Sequence, residues 1–114
     1  RLSMPDEEPL AHMLDAAGRI QSYLTGITRD QFLQNRLRQD AVIRCIQVIG
    51  EAARRVSNDM RIDHPEIEWR TIVGMRTVVI HEFHRIKLNM IWDVTQDDIP
   101  ALIAALLPLV PPEQ

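Results

Sequence analysis

Apolar residues recur at intervals of three and four positions along most of this chain, and no stretch alternates apolar and polar residues as a strand would. The pattern therefore predicts an all-α protein. Amphipathic helices joined by short connections pack most simply as an antiparallel bundle, with one stripe of each helix buried and the other exposed. We expect an up-and-down bundle of four to five helices.

The periodicity divides the chain into long helical segments. The first is predicted over about residues 6 to 25, because its apolar stripe stops just before Gly26. The longest is predicted over about residues 35 to 62. Pro65 then interrupts the pattern, since a proline disfavours helix at the residue before it, and a further helix is predicted over about residues 66 to 82.

Shorter segments connect and close the predicted bundle. Thr28 or Asp30 is expected to cap a short connecting helix. The apolar pattern restarts after Ile86, and "TQDDIP" predicts a break before the last helix, with Thr95 and Asp98 as its capping pair.

The apolar stripes also predict the core, because their residues fall on one face of each helix. The opposite face of the longest helix is polar and includes Arg44, Gln47 and Glu51. The predicted core residues are Leu10, Met13, Leu14, Ala17, Ile20, Leu24, Val42, Ile46, Ile49, Ala53, Val56, Met60, Ile99, Leu102, Leu106 and Leu109, with Trp69 and Trp92 as core or interface anchors.

Composition and length indicate one soluble globular domain. The 114 residues are 46% hydrophobic and 25% charged, and no apolar run approaches the roughly 18 residues that indicate a membrane span. We expect a single domain over residues 1–114, with a flexible segment over 1–9 and a tail over 111–114. Cys45 is the only cysteine, which excludes an internal disulfide and fits a reducing cytoplasm.

Positive charge is concentrated in one part of a chain whose net charge is −3. Residues 29–61 hold seven arginines against four acidic residues, whereas residues 88–114 hold four acidic residues and no basic one. Arginine outnumbers lysine twelve to one, and its planar fork can bind phosphate in a bidentate manner. The bias fits either a phosphate-binding protein or simply a GC-rich genome.

The stretch "GMRTVVIHEF" at residues 74–83 places Arg76 and His81 five positions apart in an otherwise apolar run. A histidine can take the proton from a ribose 2′-hydroxyl, and a guanidinium can neutralise the pentavalent phosphate that then forms. This metal-free reaction is confined to RNA, because DNA lacks the 2′-hydroxyl. The alternative interpretation is that Arg76 and His81 are surface residues near a helix end, where a cation interacts favourably with the helix dipole.

The spacing of Arg76 and His81 favours two copies of the chain over one. Five residues of a regular helix turn about 140° and rise about 7.5 Å, so the two side chains do not share a face. A two-fold axis brings the same segment in twice, and both copies can then line one cleft. We therefore expect a homodimer.

Four stretches resemble the HepT-like branch of the HEPN superfamily. "GMRTVVIHEF" is similar to its R-x4-H-x-Y signature, and "QDAVIRCIQVIGEAARRVS" resembles its long second core helix. "HPEIEWRTIVGMR" resembles the approach to the signature, and "IWDVTQDDIPAL" resembles the closing segment. The resemblance extends from about Leu10 to Leu107 and implies an HEPN-like bundle.

The resemblance also implies a function. Arg76 and His81 from both subunits of a homodimer would form a composite endoribonuclease cleft that needs no metal or other cofactor. Such proteins are cytoplasmic toxins of toxin–antitoxin systems, and the RNA targets of relatives include tRNA. The implied partner is a small MNT-type nucleotidyltransferase antitoxin, which uses ATP to transfer AMP to the signature tyrosine and so silences the nuclease.

The chain departs from its family at Phe83, which occupies the tyrosine position and has no hydroxyl to accept AMP. Tyr23, the only tyrosine, lies on the first predicted helix. Three explanations follow: control by partner binding alone, a substitution made to block modification, or decay of both silencing and catalysis. The alternative function is therefore a catalytically silent helical module that binds a nucleotidyltransferase.

Other polar residues near the signature have two interpretations each. His84, Arg85 and Lys87 either form a positive rim for RNA phosphates or belong to a solvated helix end. His81 and His84 suggest a metal site, but "HEFHR" is not H-E-x-x-H and no third ligand is evident nearby, so no metal is expected.

Residues elsewhere on the helices are candidates for supporting roles. Asp40 and Glu51 on the longest helix are expected either to orient Arg76 or His81 or to pair with a neighbour, as Glu51 can with the residue four positions on. His12, beside the apolar stripe of the first helix, and the histidine before Pro65 are expected to be structural.

Overall fold

A computed structural model describes residues 4–78 and 85–112, except for the side chains of residues 4, 5, 85 and 86. This part of the chain is helical and contains no strand, which confirms the all-α prediction. None of its helices is both long enough and apolar enough to cross a bilayer. The helices are α1 (Met4–Leu24), α2 (Arg29–Leu33), α3 (Arg36–Arg54), α4 (Asn58–Asp63), α5 (Trp69–Gly74), α6 (Arg85–Asp93) and α7 (Ile99–Leu106). A 3-10 turn (Met75–Thr77) follows α5, a π-helical segment (Val94–Asp98) joins α6 to α7, and a second 3-10 turn (Leu107–Leu109) follows α7.

The bundle is built around α3. Helix α1 packs along α3 and also contacts α7, while α5 and its 3-10 turn cross α3, and α2 contacts α6. The predicted core residues are buried, except Leu14 and Leu109, which are half-buried. Both tryptophans lie in the core, and the ring of Trp92 packs against Phe32 with centroids 5.6 Å apart.

The prediction of one helix over residues 35 to 62 is wrong, because the chain turns between α3 and α4. The side chain of Ser57 caps the N-terminus of α4. The Arg61 guanidinium reaches back to the end of α3, where it donates to the carbonyls of Ala53 at 2.8 Å and Arg54 at 3.2 Å. These contacts satisfy backbone groups that a helix end leaves open.

The start of α1 also differs from the prediction of a flexible segment over residues 1–9. The helix begins at Met4, and Asp6 is only 2% exposed. The Asp6 carboxylate accepts hydrogen bonds from the Ser57 backbone amide at 2.8 Å and from the Ser57 hydroxyl at 2.7 Å. This contact joins the first turn of α1 to the N-terminus of α4.

The predicted helix over residues 66 to 82 is interrupted at Val78, and its residues 79–82 lie outside the described residues. Helix α5 stops at Gly74, the 3-10 turn ends at Thr77, and Val78 has extended backbone dihedrals. The Gln47 side chain of α3 donates to the Val78 carbonyl at 2.6 Å, which holds the chain in this direction. β-Branched residues at 77 and 78 also weaken helix propensity. Arg76 therefore lies in a 3-10 turn and not in the interior of an α-helix.

The predicted break at "TQDDIP" is a continuous π-helical segment instead. Thr95 is buried and donates its hydroxyl to the Trp92 carbonyl at 2.6 Å, and Asp98 forms no capping hydrogen bond, so the predicted capping pair is wrong. Pro100 has no N–H to donate, and a widened helical turn accommodates its missing bond. The cap of α2 is confirmed at Thr28, which forms a capping box with Gln31.

Candidate active-site cleft

The backbone at Arg76 rests directly on α3 at Gly50. A β-carbon at Gly50 would overlap the Arg76 backbone nitrogen and would lie 2.9 Å from both the Arg76 Cα and the Ile72 carbonyl oxygen. Only glycine permits this approach. Together with the hydrogen bond from Gln47 to Val78, the close contact fixes the 3-10 turn that carries Arg76.

Arg76 lines a surface cleft of about 210 Å³ where α1, α3 and the 3-10 turn meet. Among the described residues, the cleft contains three guanidinium groups and one carboxylate, so their combined charge is opposite in sign to the −3 of the whole chain. Its lining residues are His12, Arg44, Gln47, Val48, Glu51, Ala52, Arg55 and Arg76.

Glu51 is the carboxylate of this cleft, and it bonds to Arg54 at 2.7 Å. That hydrogen bond, together with the positive charges of Arg54, Arg76 and Arg55, lowers the pKa of Glu51 below its ordinary value. Glu51 is therefore ionised at neutral pH and attracts Arg76 electrostatically. The structure thus brings Glu51, an expected supporting residue, to the same cleft as Arg76.

The predicted ion pair between Glu51 and Arg55 is wrong, because Arg55 reaches across to α1. Its guanidinium lies 3.4 Å from the Glu8 carboxylate and 3.3 Å from Nδ1 of His12. A guanidinium can only donate, so His12 accepts through Nδ1 and carries its proton on Nε2. His12 is exposed in the cleft, where it contacts the Arg55 side chain and so links α1 to α3.

Asp40, the other expected supporting residue, lies elsewhere on α3. It pairs with Arg36 at 3.5 Å, and both side chains are exposed. Eleven residues, or about 16 Å of helix, separate Asp40 from Glu51. The structure therefore does not bring Asp40 to the cleft that contains Arg76.

Several predicted site residues lie outside the described residues, namely His81, Phe83 and His84. Arg85 begins α6, but its side chain is also outside them, whereas Lys87 is an exposed residue of α6. Within residues 4–78 and 85–112, no three His, Cys, Asp or Glu side chains are grouped as metal ligands. The pairing of Arg76 with His81 stays a prediction.

Two neighbouring clefts differ in character. A cleft of about 410 Å³ continues from the first along α1 and α3, shares His12 and Arg44 with it, and has buried Cys45 among its lining residues. Burial raises the pKa of the Cys45 thiol. A cleft of about 230 Å³ between α5 and α7 has Glu66 and Asp98 among its lining residues, so its charge opposes phosphate binding.

Sequence reasoning placed Arg44 on the polar face of the longest helix but missed that it shares a cleft with Arg76, His12 and Arg55. Arg44, Gln47 and Glu51 are spaced three and four positions apart, which places them on one face of α3. This spacing could have predicted the part of the cleft that α3 provides. The other half comes from α1 and the 3-10 turn, and its position depends on long-range packing.

Comparison with known proteins gives one consistent result. Residues 13–109 match the family model described as "Ribonuclease HepT-like". A candidate RNase of Methanocaldococcus jannaschii is 31% identical over 82% of this chain and 85% of its own length. A protein named "Probable ribonuclease HepT" from Thermococcus cleftensis is 34% identical over 82% of this chain and 84% of its own length. No solved structure gives a significant match.

Proposed function

Because the chain belongs to the HepT-like ribonuclease family, we propose that it is the toxin of a toxin–antitoxin system and cleaves RNA, in particular tRNA, in the cytoplasm. The observation that carries this proposal is the placement of Arg76. Its turn is fixed against α3 at Gly50, and it lines a cleft with three guanidinium groups and one carboxylate. Such a cleft suits a phosphodiester substrate.

The proposed reaction needs no metal. His81 removes the proton of a ribose 2′-hydroxyl, the 2′-oxygen attacks the adjacent phosphorus, and the bond to the 5′-oxygen breaks. The imidazolium then returns a proton to the leaving 5′-oxygen, so the products are a 2′,3′-cyclic phosphate and a 5′-hydroxyl. The Arg76 guanidinium stabilises the additional negative charge of the pentavalent phosphate. Glu51 orients Arg76 through electrostatic attraction.

We propose that the active site is completed in a homodimer. Arg76 lies in a 3-10 turn, and the next residue after the turn, Val78, is extended. A two-fold axis would bring two copies of this turn together, and each copy adds one guanidinium and one imidazole to the same phosphate site.

The proposed antitoxin is an MNT-type nucleotidyltransferase. Phe83 offers no hydroxyl for AMP, so this chain is controlled by partner binding and not by transfer of AMP to residue 83. The same phenylalanine is the observation that favours the alternative function, in which the chain is an inactive module that binds the nucleotidyltransferase.

Cleavage of purified tRNA in excess EDTA tests the proposed activity. The wild-type protein should cleave and leave 2′,3′-cyclic phosphate ends, and His81→Ala should not, although both remain helical by circular dichroism. Cleavage that stops in EDTA and returns with Mg²⁺ would contradict the metal-independent mechanism. If the wild-type protein and His81→Ala are equally inert, the inactive module is the correct function.

A further inference from the structure

We propose that Arg44 binds a phosphate of the RNA chain next to the one that is cut, in the cleft between α1 and α3. This inference rests on the proposed cleavage of RNA at Arg76, and it adds a binding contact that the bond-breaking step does not require. The relevant surface is the basic cleft, defined by His12, Arg44, Glu51, Arg55 and Arg76.

The charge of the basic cleft selects an anion. Its single carboxylate, Glu51, already accepts a 2.7 Å hydrogen bond from Arg54 and stays ionised as a result. Arg55 is engaged with Glu8 and with His12. Arg44 and Arg76 are therefore the guanidinium groups that remain available for a ligand.

The pairing of the other arginines makes Arg44 distinctive. Most of the described arginines bond to a carboxylate or a backbone carbonyl, as Arg36 does with Asp40. Among the arginines whose side chains the structure describes, only Arg44, Arg70 and Arg76 form no side-chain hydrogen bond or ion pair. Two of these three line the same cleft. Unpaired guanidinium groups of this kind can bind a phosphate without first breaking an existing ion pair.

The shape of the surface continues past Arg44. The basic cleft and the larger 410 Å³ cleft along α1 and α3 have His12 and Arg44 in common, so Arg44 stands where the two join. Six residues of α3, or about 9 Å of helix, separate Arg44 from Gly50, on which the Arg76 turn rests. We assign Arg44 to a neighbouring phosphate because it also lines the larger cleft, whereas Arg76 does not.

His12 adds a ring N–H donor to the same site. Its Nδ1 accepts from Arg55, so its Nε2–H is available to a phosphate oxygen. A flexible single strand can follow a surface that presents an arginine and a ring N–H donor along one groove, because backbone recognition needs charge and hydrogen bonds but no fixed base sequence.

Binding of a short fluorescein-labelled single-stranded RNA with 2′-O-methyl riboses tests the inference. This RNA cannot be cleaved through its 2′-oxygen, so fluorescence anisotropy reports binding alone. Full-length wild-type, Arg44→Ala and Arg70→Ala proteins are compared over a series of KCl concentrations. Arg70 is the matched control, because it is an exposed and unpaired arginine that does not line the basic cleft.

Arg44→Ala should bind several-fold more weakly, and its plot of log K against log [KCl] should be shallower by about 0.7, the value for one lost phosphate contact on a single strand. Arg70→Ala should match the wild-type protein in both. Arg44→Lys should restore the salt dependence, because it restores the charge. Thermal unfolding of each variant checks that the fold is intact, and Arg44→Gln replaces Arg44→Ala if the alanine variant unfolds.

Equal affinity and equal salt dependence for Arg44→Ala and wild type would overturn the inference. So would a dimer that dissociates in Arg44→Ala while RNA binding is unchanged, since a second copy of the chain would then occupy the cleft. Failure of the proposed reaction looks different: tRNA stays intact with the wild-type protein although binding still depends on Arg44.

Discussion

At the level of single residues, α3 acts on Arg76 in two ways. The close approach at Gly50 sets its backbone, and the ionised Glu51 carboxylate attracts its charge. The sequence predicted Glu51 as a supporting residue because carboxylates commonly orient arginines. It could not separate Glu51 from Asp40, since both lie on α3 and only the crossing of α5 decides which one meets Arg76.

Replacement of Glu51 should strengthen the binding of RNA but slow its cleavage. Glu51→Gln removes a carboxylate from the basic cleft, so KM for tRNA should fall as its repulsion of the RNA backbone disappears. The value of kcat should also fall, because Arg76 loses the charge that orients it. Steady-state cleavage assays measure both constants, with Asp40→Asn as the control. A Glu51→Gln enzyme with unchanged kcat would mean that Glu51 does not orient Arg76.

The lowered pKa of Glu51 gives a pH dependence of stability. A carboxylate whose folded-state pKa is depressed stabilises the fold above its unfolded-state pKa, and this contribution disappears as pH falls through the folded-state value. Wild-type protein should therefore exceed Glu51→Gln in free energy of unfolding at neutral pH, and the difference should vanish in acid. Urea unfolding at several pH values measures it. A difference that grows towards acid pH would contradict the assigned direction.

At the scale of the helices, α3 is the platform for the site, and its small residue at position 50 determines how closely α5 can approach. Sequence periodicity found α1, α3 and α7 because their buried stripes are long. It predicted α3 and α5 to be longer than they are. Arg61 and Gln47 redirect the chain by donating hydrogen bonds from their side chains to backbone carbonyls, and no local sequence pattern encodes these contacts.

Two glycine-to-alanine changes test this platform in opposite directions. Gly50→Ala should lower the free energy of unfolding by about 1–3 kcal/mol, because the new methyl group overlaps the Arg76 backbone. It should also reduce cleavage by moving Arg76. Gly18→Ala, in open space on α1, should raise stability by about 0.5–1 kcal/mol, because alanine favours helix. Chemical denaturation measures both changes. Equal effects of the two substitutions would exclude the close crossing at Gly50.

At the scale of the whole molecule, the all-α class and the core followed from periodicity, whereas the basic cleft did not. Its residues come from three elements that are distant in the chain. The net charge of the whole chain is −3, so composition does not indicate a positively charged cleft. The positions of His12 and Arg55 depend on how α1 packs along α3. The sequence therefore predicted Arg76 as a catalytic residue but did not predict the surface around it.

The proposed two-fold site predicts a dimer in solution. Sedimentation velocity at micromolar concentration should give about twice the 13.2 kDa mass of the chain. The dimer should persist in Arg76→Ala and His81→Ala, because these changes remove reacting groups and not the contact between subunits. A monomer that cleaves tRNA at the full rate would refute the composite site.

The single-turnover rate of tRNA cleavage in EDTA measures whether Arg76 stabilises the cleavage transition state. Arg76 is exposed, so Arg76→Ala should leave the unfolding free energy within about 0.5 kcal/mol of wild type. Its cleavage rate should fall by about a hundredfold or more, while Arg70→Ala cleaves at the wild-type rate. A folded Arg76→Ala protein that cleaves as fast as Arg70→Ala would show that Arg76 does not stabilise the transition state.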